Sequence, residues 1–307
     1  MLSTFLWSLV VVVIRETNNS SMSAHMTSLR SLVVCAAALA IVGCKKDATF
    51  SEPLPDYGKI HWLNAVPDTG QQDMRVIDIP SNAALFDANF RGSTMFYQPI
   101  QAGTRTVRIF NSSTDPVIAS QVLQESSLPV TRDSGYTFIH AGFARTGGTP
   151  ARTVLIIRDF PPTPAAALVA VRAINAGAGL GAVDVWAVKR PVVPAGADSL
   201  PDTRGASNVA FGTASAYITL AVDAVAADSI RVVFTTTGSK TVLASVLVPP
   251  GVAGTTAADP IAGARVAGSV LTAVLVPRSV VGSQAPAGFT TPSAIYFVDR
   301  RPPSTAP

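Results

Sequence analysis

Cysteine, histidine and glutamate are scarce in this chain. Its 307 residues include two cysteines, three histidines and three glutamates, and both cysteines, Cys35 and Cys44, precede position 45. A domain that begins after Cys44 therefore has no disulfide framework and no thiolate metal site. The 21 basic and 18 acidic residues from position 45 onward give a net charge of +3. These charges are scattered rather than clustered, so no nucleic-acid partner is expected.

Aromatic residues are also few, at 7 %, and the chain lacks long runs with helical periodicity. It is instead rich in valine, threonine, alanine, glycine and proline, a composition typical of β-structure. The spacing of its short apolar runs predicts an all-β fold of two tandem immunoglobulin-like antiparallel β-sandwiches. Such runs occur between turn signals at Thr106 to Phe110, Val117 to Leu123, Tyr136 to Ala141 and Thr153 to Ile157.

An eleven-residue apolar stretch, Leu32 to Val42, follows Arg30 and ends beside Gly43 and Cys44. It is too short to cross about 30 Å of hydrocarbon as a helix. Its length and the preceding positive charge are those of a signal segment. The run of Ile41, Val42, Gly43 and Cys44 resembles the lipobox of a bacterial lipoprotein. The resemblance implies that Cys44 carries lipid and that the protein contacts the membrane through this anchor.

Other interpretations of the N-terminal region stay open. Cys35 competes as a lipidation site, but a bulky valine precedes it, so acylation is assigned to Cys44 alone. An uncleaved N-terminal helix with a buried thiol is the structural alternative. A signal needs no second apolar run such as Leu2 to Ile14, so translation is expected to start at Met22 or Met26. The alternative is that this first run is a genuine N-terminal anchor.

Two lysines, Lys45 and Lys46, directly follow the cysteine. In the sorting rule of Gram-negative bacteria, lysine rather than aspartate at this place implies export to the outer membrane. We therefore expect a lipid-anchored protein of the outer membrane or cell surface.

The chain beyond residue 59 repeats itself. Its opening segment, Ile60 to Ala65, aligns with Val171 to Ala176 and shares the Asn-Ala ending. Five further matches follow in order and indicate a tandem duplication. They pair Met74 to Ile79 with Val183 to Val188, Phe90 to Ser93 and Tyr97 with Ala210 to Thr213 and Tyr217, Val107 to Phe110 with Ile230 to Val233, Ile118 to Ser120 with Leu243 to Ser245, and Val154 to Ile157 and Asp159 with Ile295 to Val298 and Asp299.

The duplication predicts a domain plan in which the second sandwich has the longer loops. A short, proline-rich and fairly stiff linker should join the two sandwiches. The plan comprises a signal segment (1–43), a lipidated flexible tether (44–58), a first sandwich (59–162), the linker (163–167), a second sandwich (168–303) and a tail (304–307).

The order of these motifs resembles the bacterial family called domain of unknown function 4397, in two copies over most of residues 60–303. The matching residues are Asn64 and Ala65, Val183 to Val185, Phe211 to Thr213 with Tyr217, Ala102 to Thr104 with Val107, and Gly135 to Thr137. The second copy departs from the pattern at Val225 to Ala227, in place of Ala-Gly-Thr, and at Gly268 to Val270, in place of Gly-Tyr-Thr. The resemblance implies an exported, repeat-prone β-sandwich on the cell surface, with no activity to carry over.

The residues that recur in both halves are interpreted as structural signatures. They are Asn64, Ala65, Gly92 and Tyr97 in the first half, and Asn175, Ala176, Gly212 and Tyr217 in the second. A tyrosine at a sandwich corner often hydrogen-bonds the backbone, and this role is favoured over ligand stacking. Trp62 and Trp186 are expected in the core rather than on a sugar-binding face.

No catalytic residue, metal site or cofactor site is expected. His61 and His140 have no histidine counterpart in the second half and are assigned structural roles. Gly177, Gly179 and Gly181 precede a strand rather than a helix, which predicts a turn instead of a phosphate loop. Aspartates that could approach each other are more simply solvated turn carboxylates, in the pairs Asp68 with Asp73 and Asp198 with Asp202.

The leading hypothesis is a non-enzymatic envelope lipoprotein that acts as a surface spacer or interaction module for an envelope protein or glycan. One alternative is an accessory carbohydrate-binding module, which needs exposed aromatic residues on one face. Another is a hydrolase that uses His140 and aspartates in the loops of the second sandwich.

Overall fold

The first strand, β1 (Tyr57–Asn64), is buried on both of its faces. Side chains alternate along a strand, so Ile60 and Trp62 point to one side and His61 and Leu63 to the other. Since all four are buried, β1 must lie between two layers. The computed structural model describes residues 55–79, 83–190, 200, 205–222 and 229–303, and it places β1 in one of two inner sheets.

Two four-stranded sheets form the first sandwich. Besides β1 they contain β2 (Gln72–Val76), β3 (Ala84–Ala88), β4 (Gln98–Gln101), β5 (Gly103–Asn111), β6 (Val122–Val130), β7 (Gly135–Ala141) and β8 (Thr153–Asp159). A short helix, α1 (Pro116–Ala119), connects β5 to β6. Sheet I has the order β4-β1-β7-β8 and sheet II the order β3-β2-β5-β6. Only β1 and β7 pair in parallel among these strands. Ile60, Trp62 and Phe138 belong to the core between the two sheets.

The second sandwich repeats this strand order. Its strands are β9 (Leu168–Asn175), β10 (Val183–Arg190), β11 (Ala206–Val209), β12 (Ile218–Ala221), β13 (Ser229–Thr236), β14 (Val242–Val248), β15 (Val270–Val276) and β16 (Ser293–Arg300). Sheet III has the order β12-β9-β15-β16 and sheet IV the order β11-β10-β13-β14. The β9 and β15 strands pair in parallel, as β1 and β7 do. The predicted all-β fold of antiparallel-rich sandwiches is confirmed.

One predicted strand is wrong, and one of the repeat matches is wrong for the same reason. The run Val117 to Leu123 does not form a strand: Pro116–Ala119 is a helical turn, and β6 begins only at Val122. Pro116 fits the first turn of a helix, and the Asp115 side chain caps it by accepting from the Val117 amide at 2.8 Å. Ile118 to Ser120 therefore has no counterpart in Leu243 to Ser245, which lies in β14.

Sheets I and III pack face to face and bury a third core between the two sandwiches. Leu63 of β1 and Ile139 of β7 meet Ile174 of β9 and Val274 of β15 there. This explains why β7 and β15 are buried along their whole length. Strands that are covered on both faces carry near-continuous apolar runs.

The parallel arrangement gives the paired sandwiches two distinct ends. At the entry end, where the chain enters β1 at Tyr57, Arg300 donates to the Thr163 hydroxyl at 2.6 Å. At the loop end, beyond β1, β7, β9 and β15, the Val280 amide donates to the Pro67 carbonyl at 2.8 Å. The linker thus lies at the same end as Tyr57, and the long connections after β7 and β15 lie at the other. Of the residues described, no helix has the length and apolar character needed to cross a membrane.

Candidate functional site

A buried polar cluster lies between sheets I and III near the entry end. In the first sandwich its centre is Asp159, at the end of β8, which is 3 % exposed. The Tyr97 hydroxyl donates to this carboxylate at 2.7 Å, and the Thr137 hydroxyl lies 3.1 and 3.0 Å from its two oxygens. The tyrosine therefore bonds a carboxylate of β8, at the far edge of sheet I, rather than the backbone of its own corner.

The second sandwich builds the same arrangement. Asp299, at the end of β16, accepts from the Tyr217 hydroxyl at 2.8 Å and from the Thr272 hydroxyl. Thr272 and Thr137 occupy equivalent places, since Thr272 pairs with Arg172 and Thr137 with His61 in the parallel ladders. The segment equivalent to Gly135 to Thr137 is thus Val270 to Thr272. The expected counterpart, Gly268 to Val270, is two residues too early.

Arg172 joins the two halves of this cluster. Its guanidinium donates to the Asp159 carboxylate of the first sandwich and, through Nε, to Thr272 Oγ1 at 2.7 Å. The same Nε lies 3.8 Å from Asp299 Oδ2. Burial by itself lowers the pKa of Arg172, but the two carboxylates outweigh it and the net shift raises that pKa. Arg172 therefore keeps its charge inside the interface.

His61 occupies the place in β1 that Arg172 occupies in β9. Its ring stacks on Tyr97 with centroids 3.7 Å apart and on Phe297 with centroids 4.7 Å apart. Its Nε2 lies 3.6 Å from Asp299 Oδ1, and neither atom has a hydrogen-bond partner among the described residues. The Nδ1 atom contacts the Thr94 carbonyl at 3.3 Å. The two sandwiches thus exchange contacts in both directions: Arg172 reaches Asp159, and His61 faces Asp299.

The phenols of the cluster are held in their neutral form. Burial, followed by the nearby aspartates, raises the pKa of Tyr97. Burial and then Asp299 raise the pKa of Tyr217 in the same direction. Lys59 stands over the Tyr97 ring at 4.5 Å, and burial lowers the pKa of its amine. With its carboxylates bonded by tyrosine, threonine and arginine, the cluster is built to fasten two sheets together.

The Asn-Ala signature closes the loop end of each opening strand. Asn64 donates from Nδ2 to the Ala88 carbonyl at 2.9 Å and accepts from the Val66 amide at 3.1 Å. Asn175 does the same with the Val209 carbonyl at 3.0 Å and the Gly177 amide at 3.0 Å. Ala65 and Ala176 are both fully buried in the core between the sandwiches.

The glycine signature is offset by one residue between the two halves. Arg91 and Gly212 both donate their amides to the signature asparagine carbonyl, at 2.7 and 2.8 Å, and both have positive φ, at 71° and 79°. Gly212 is therefore equivalent to Arg91, and the predicted match of Gly92 with Gly212 is wrong. Gly92 is needed for a separate reason, because a Cβ there would lie 2.8 Å from the Asn89 carbonyl oxygen.

Arg91 uses this unusual backbone position to reach the other sandwich. Its guanidinium donates to the carbonyls of Pro277 and Thr291 at 2.7 and 2.6 Å, which fixes both ends of the long loop after β15. The guanidinium also lies 4.6 Å from the centre of the Phe289 ring. An arginine in a left-handed conformation costs about 1 kcal/mol, and these bonds offset that strain.

An open cleft of about 690 Å³ lies at the loop end, between this long loop and two loops that follow β7 and β9. Its lining includes Phe143 and Arg145 from the first sandwich, and Leu180, Arg278 and Val281 from the second. Val281 is 97 % exposed.

The two aspartates expected to lie in turns have separate partners. Asp68 borders the cleft and accepts from the Ala144 and Arg145 amides at 2.8 and 3.0 Å. Asp73 instead accepts from the Asp87 amide at 2.9 Å and pairs with Arg75 at 3.2 Å. Asp73 lies in β2 and bonds the backbone of β3, so the expectation that it is a turn carboxylate is wrong, whereas Asp68 does lie in a turn.

His140 and the two tryptophans are buried. His140 is 0 % exposed, its Nδ1 lies 2.7 Å from Gln72 Oε1, and burial followed by Arg152 lowers its pKa to about 3. Trp62 lies in the core of the first sandwich. Trp186 is 3 % exposed and donates to Thr235 Oγ1 at 3.0 Å.

The glycines after β9 lie in the loop that leads to β10, with no helix after them. The predicted turn is consistent with the bond from Asn175 Nδ2 to the Gly181 carbonyl at 2.9 Å. Several expected sites lie outside the described residues: Cys44, the lipobox of Ile41, Val42 and Gly43, and the pair Asp198 and Asp202. Within the described ranges, no group of three or more histidine, cysteine or acidic residues could hold a metal ion.

Comparison with known proteins gives one family match. Residues 58–186 match the family model described as Domain of unknown function (DUF4397), a span that runs from β1 into β10. No curated protein matches the chain.

Two solved structures were matched at low similarity. One is a streptococcal virulence factor that binds alpha-glucan, with 14 % identity, coverage of 63 % of this chain and 88 % of that chain, and a TM-score of 0.21. The other belongs to the family 41 carbohydrate-binding modules from streptococcal virulence factors that recognise alpha-glucan, with 12 % identity, the same coverages and a TM-score of 0.19. TM-scores this low do not establish a shared fold or a shared ligand.

Proposed function

We propose that this protein is a non-enzymatic lipoprotein of the cell envelope, whose two packed sandwiches hold a recognition surface away from the membrane. One observation carries the proposal. The chain enters the sandwiches at Tyr57, at one end, whereas the cleft and the long loops lie at the opposite end. A lipid on Cys44 would tether the entry end, so the loop end would point outward.

The contact between the sandwiches supports a spacer role. A mobile linker alone would let the two domains swing, but sheets I and III share an apolar core and the Arg172 to Asp159 ion pair. Because this interface fixes the two sandwiches relative to each other, the loop end stays at a set distance from the entry end. We assign no catalytic residue, because the expected candidate His140 is fully buried against Gln72.

The anchor is tested by intact-mass spectrometry of the protein extracted from membranes of a Gram-negative host. We expect a chain that begins at Cys44 and carries a diacylglycerol and an N-linked acyl chain, and we expect the Cys44→Ala variant to lack both. An uncleaved or lipid-free chain in the membrane fraction would contradict the proposal.

The outward surface is tested by photo-crosslinking in intact cells. A photoreactive residue at Val281, at the loop end, should form a defined adduct with an envelope component. The matched control is Phe160, which is 69 % exposed at the entry end and should give no such adduct. Equal labelling from both positions would argue against a recognition surface at the loop end.

A second candidate function is carbohydrate binding on the outer face of sheet II. Phe86 of β3 is 58 % exposed there, and the Arg75 guanidinium lies 5.8 Å from its ring and 4.3 Å from that of Phe110. The exposed Phe86 ring can stack on a sugar. Affinity electrophoresis in gels that contain soluble glycans tests this: Phe86→Ala should abolish retardation, and Phe160→Ala should not. A Phe86→Ala variant that is retarded like the wild type would exclude this face.

A further inference from the structure

The loop-end cleft contains two arginines that have no carboxylate partner among the described residues. Arg145 and Arg278 are exposed, and neither forms an ion pair with a carboxylate among the described residues. Among the described residues, the acidic side chain beside the cleft is Asp68, which lines an adjoining pocket, and its two oxygens already accept from backbone amides. The cleft therefore presents two positive charges and one carboxylate that is already bonded.

The remaining lining is aliphatic. Leu180, Val280 and Val281 contribute apolar surface to a cleft of about 690 Å³. This volume lies within the range of about 300–1,000 Å³ of ordinary ligand pockets. The one aromatic ring, Phe143, has the Arg145 guanidinium 4.8 Å from its centre. A sugar platform needs an open ring face, so this lining favours aliphatic side chains over a glycan.

The walls of the cleft are fixed before any ligand binds. Arg91 holds the two ends of the long loop through Pro277 and Thr291. Within that loop the Ser279 amide donates to the Phe289 carbonyl at 2.8 Å. On the opposite wall Gly179 has φ of +78°, and a Cβ at this residue would lie 3.3 Å from the edge of the Phe143 ring. A preformed site loses less conformational entropy on binding than a flexible loop does.

We propose that this cleft binds an extended acidic peptide segment of an envelope protein. Carboxylates of the segment pair with Arg145 and Arg278, and its aliphatic side chains pack on Leu180, Val280 and Val281. Guanidinium groups suit this role because their fork of donors matches a carboxylate. The inference rests on the proposed function, in that it names the class of partner for the outward surface.

The test uses the detergent-solubilised full chain and a phage library that displays random twelve-residue peptides. We expect the selected peptides to be rich in aspartate, glutamate and aliphatic residues. Their fluorescein-labelled forms should bind at least tenfold more weakly to Arg145→Gln and to Arg278→Gln. The matched control is Arg132→Gln, an exposed arginine at the entry end, which should leave affinity within twofold. Raising the salt concentration should weaken binding to the wild type more than binding to either cleft variant.

The inference would be overturned by the absence of an enriched peptide, by enriched peptides that are neutral or basic, or by equal loss in the control and cleft variants. Oligogalacturonate that binds more tightly than every selected peptide would assign the cleft to acidic glycans instead. The two proposals fail separately. A lipidated Cys44 and a crosslink from Val281 without peptide binding would leave the envelope role intact and remove the peptide assignment. Peptide binding by a chain that carries no lipid would support the peptide assignment and remove the envelope role.

Discussion

Arg172 in β9 of the second sandwich is ion-paired with Asp159 in β8 of the first, in a site where both side chains are almost fully buried. The pair crosses the surface on which the two sandwiches meet. A buried ion pair contributes little net stability by itself, since desolvation of both charges offsets their attraction. Removal of only one partner, in contrast, is strongly destabilising, because it leaves the other charge buried without compensation. The difference between single and double variants can be measured.

Asp159→Asn and Arg172→Met should each lower the free energy of unfolding by about 3 kcal/mol, because each breaks the buried pair by removing one of its two charges. The double variant should lose clearly less than the sum of the two, since neither charge of this pair remains and only Asp299 loses a nearby cation. Urea unfolding of all four proteins measures this coupling. Losses that add within about 0.5 kcal/mol would show that the pair does not join the sandwiches energetically.

Tyr97→Phe and Tyr217→Phe should each lower the free energy of unfolding by about 2 kcal/mol, because each removes a hydrogen bond to a charged carboxylate. Burial raises the pKa of both phenols. The folded protein therefore keeps protons that the unfolded chain releases above about pH 10, so stability falls as the pH rises past that value. Each phenylalanine variant should show a shallower alkaline loss than the wild type.

Urea unfolding at pH 8 and pH 11 checks this prediction. Tyr57→Phe is the matched control, because Tyr57 is 50 % exposed, and its unfolding energy should change by less than about 0.5 kcal/mol. An unchanged alkaline slope in both Tyr97→Phe and Tyr217→Phe would show that these phenols do not couple proton release to unfolding.

Arg91 separates a backbone effect from a side-chain effect. Arg91→Ala loses the bonds to Pro277 and Thr291 but keeps a side chain at a φ of 71°. Arg91→Gly loses the same bonds and relieves the strain. We expect the alanine variant to be less stable than the glycine variant by about 1 kcal/mol, and both to be less stable than the wild type. Arg132→Ala, at the exposed entry end, serves as the neutral control. Equal stability of the alanine and glycine variants would contradict the strain at this position.

The sequence predicts the architecture well, because alternation and turn residues are local signals. The duplicated pattern also points to Tyr97, Tyr217 and the two aspartates, since Asp159 and Asp299 match each other at the ends of β8 and β16. It could not show that these residues meet across two sandwiches. Such contacts depend on how sheets I and III pack, and strand periodicity carries no record of that packing.

Sequence patterns do not identify Arg172 or Thr272 as members of the cluster, for related reasons. An arginine that replaces a histidine within an apolar strand suggests exposure, whereas here both faces of the strand are covered and the charge is paired. Thr272 does not stand out because the alignment of Gly268 to Val270 places the signature two residues early. The glycine match failed in a similar way, since Arg91 adopts a left-handed conformation that sequence patterns assign to glycine.

His140 should make the protein sensitive to mild acid. Burial, followed by Arg152, lowers its pKa to about 3, well below the 6.5 of an unperturbed histidine. Between pH 7 and pH 5 this residue therefore binds a proton in the unfolded chain but stays neutral in the folded protein. Stability should fall by about 2 kcal/mol over that interval, since each pKa unit corresponds to about 1.4 kcal/mol.

The His140→Asn variant isolates this contribution. Its Nδ2 can donate to Gln72 in place of the imidazole Nδ1, which lies 2.7 Å from Gln72 Oε1. Every other titrating group is common to both proteins, so the difference between their stability profiles belongs to His140. We expect urea unfolding to give a flatter profile for the variant between pH 7 and pH 5. Parallel profiles would mean that His140 accepts its proton as readily in the folded protein as in the unfolded chain, and that its buried bond to Gln72 does not exclude the charge.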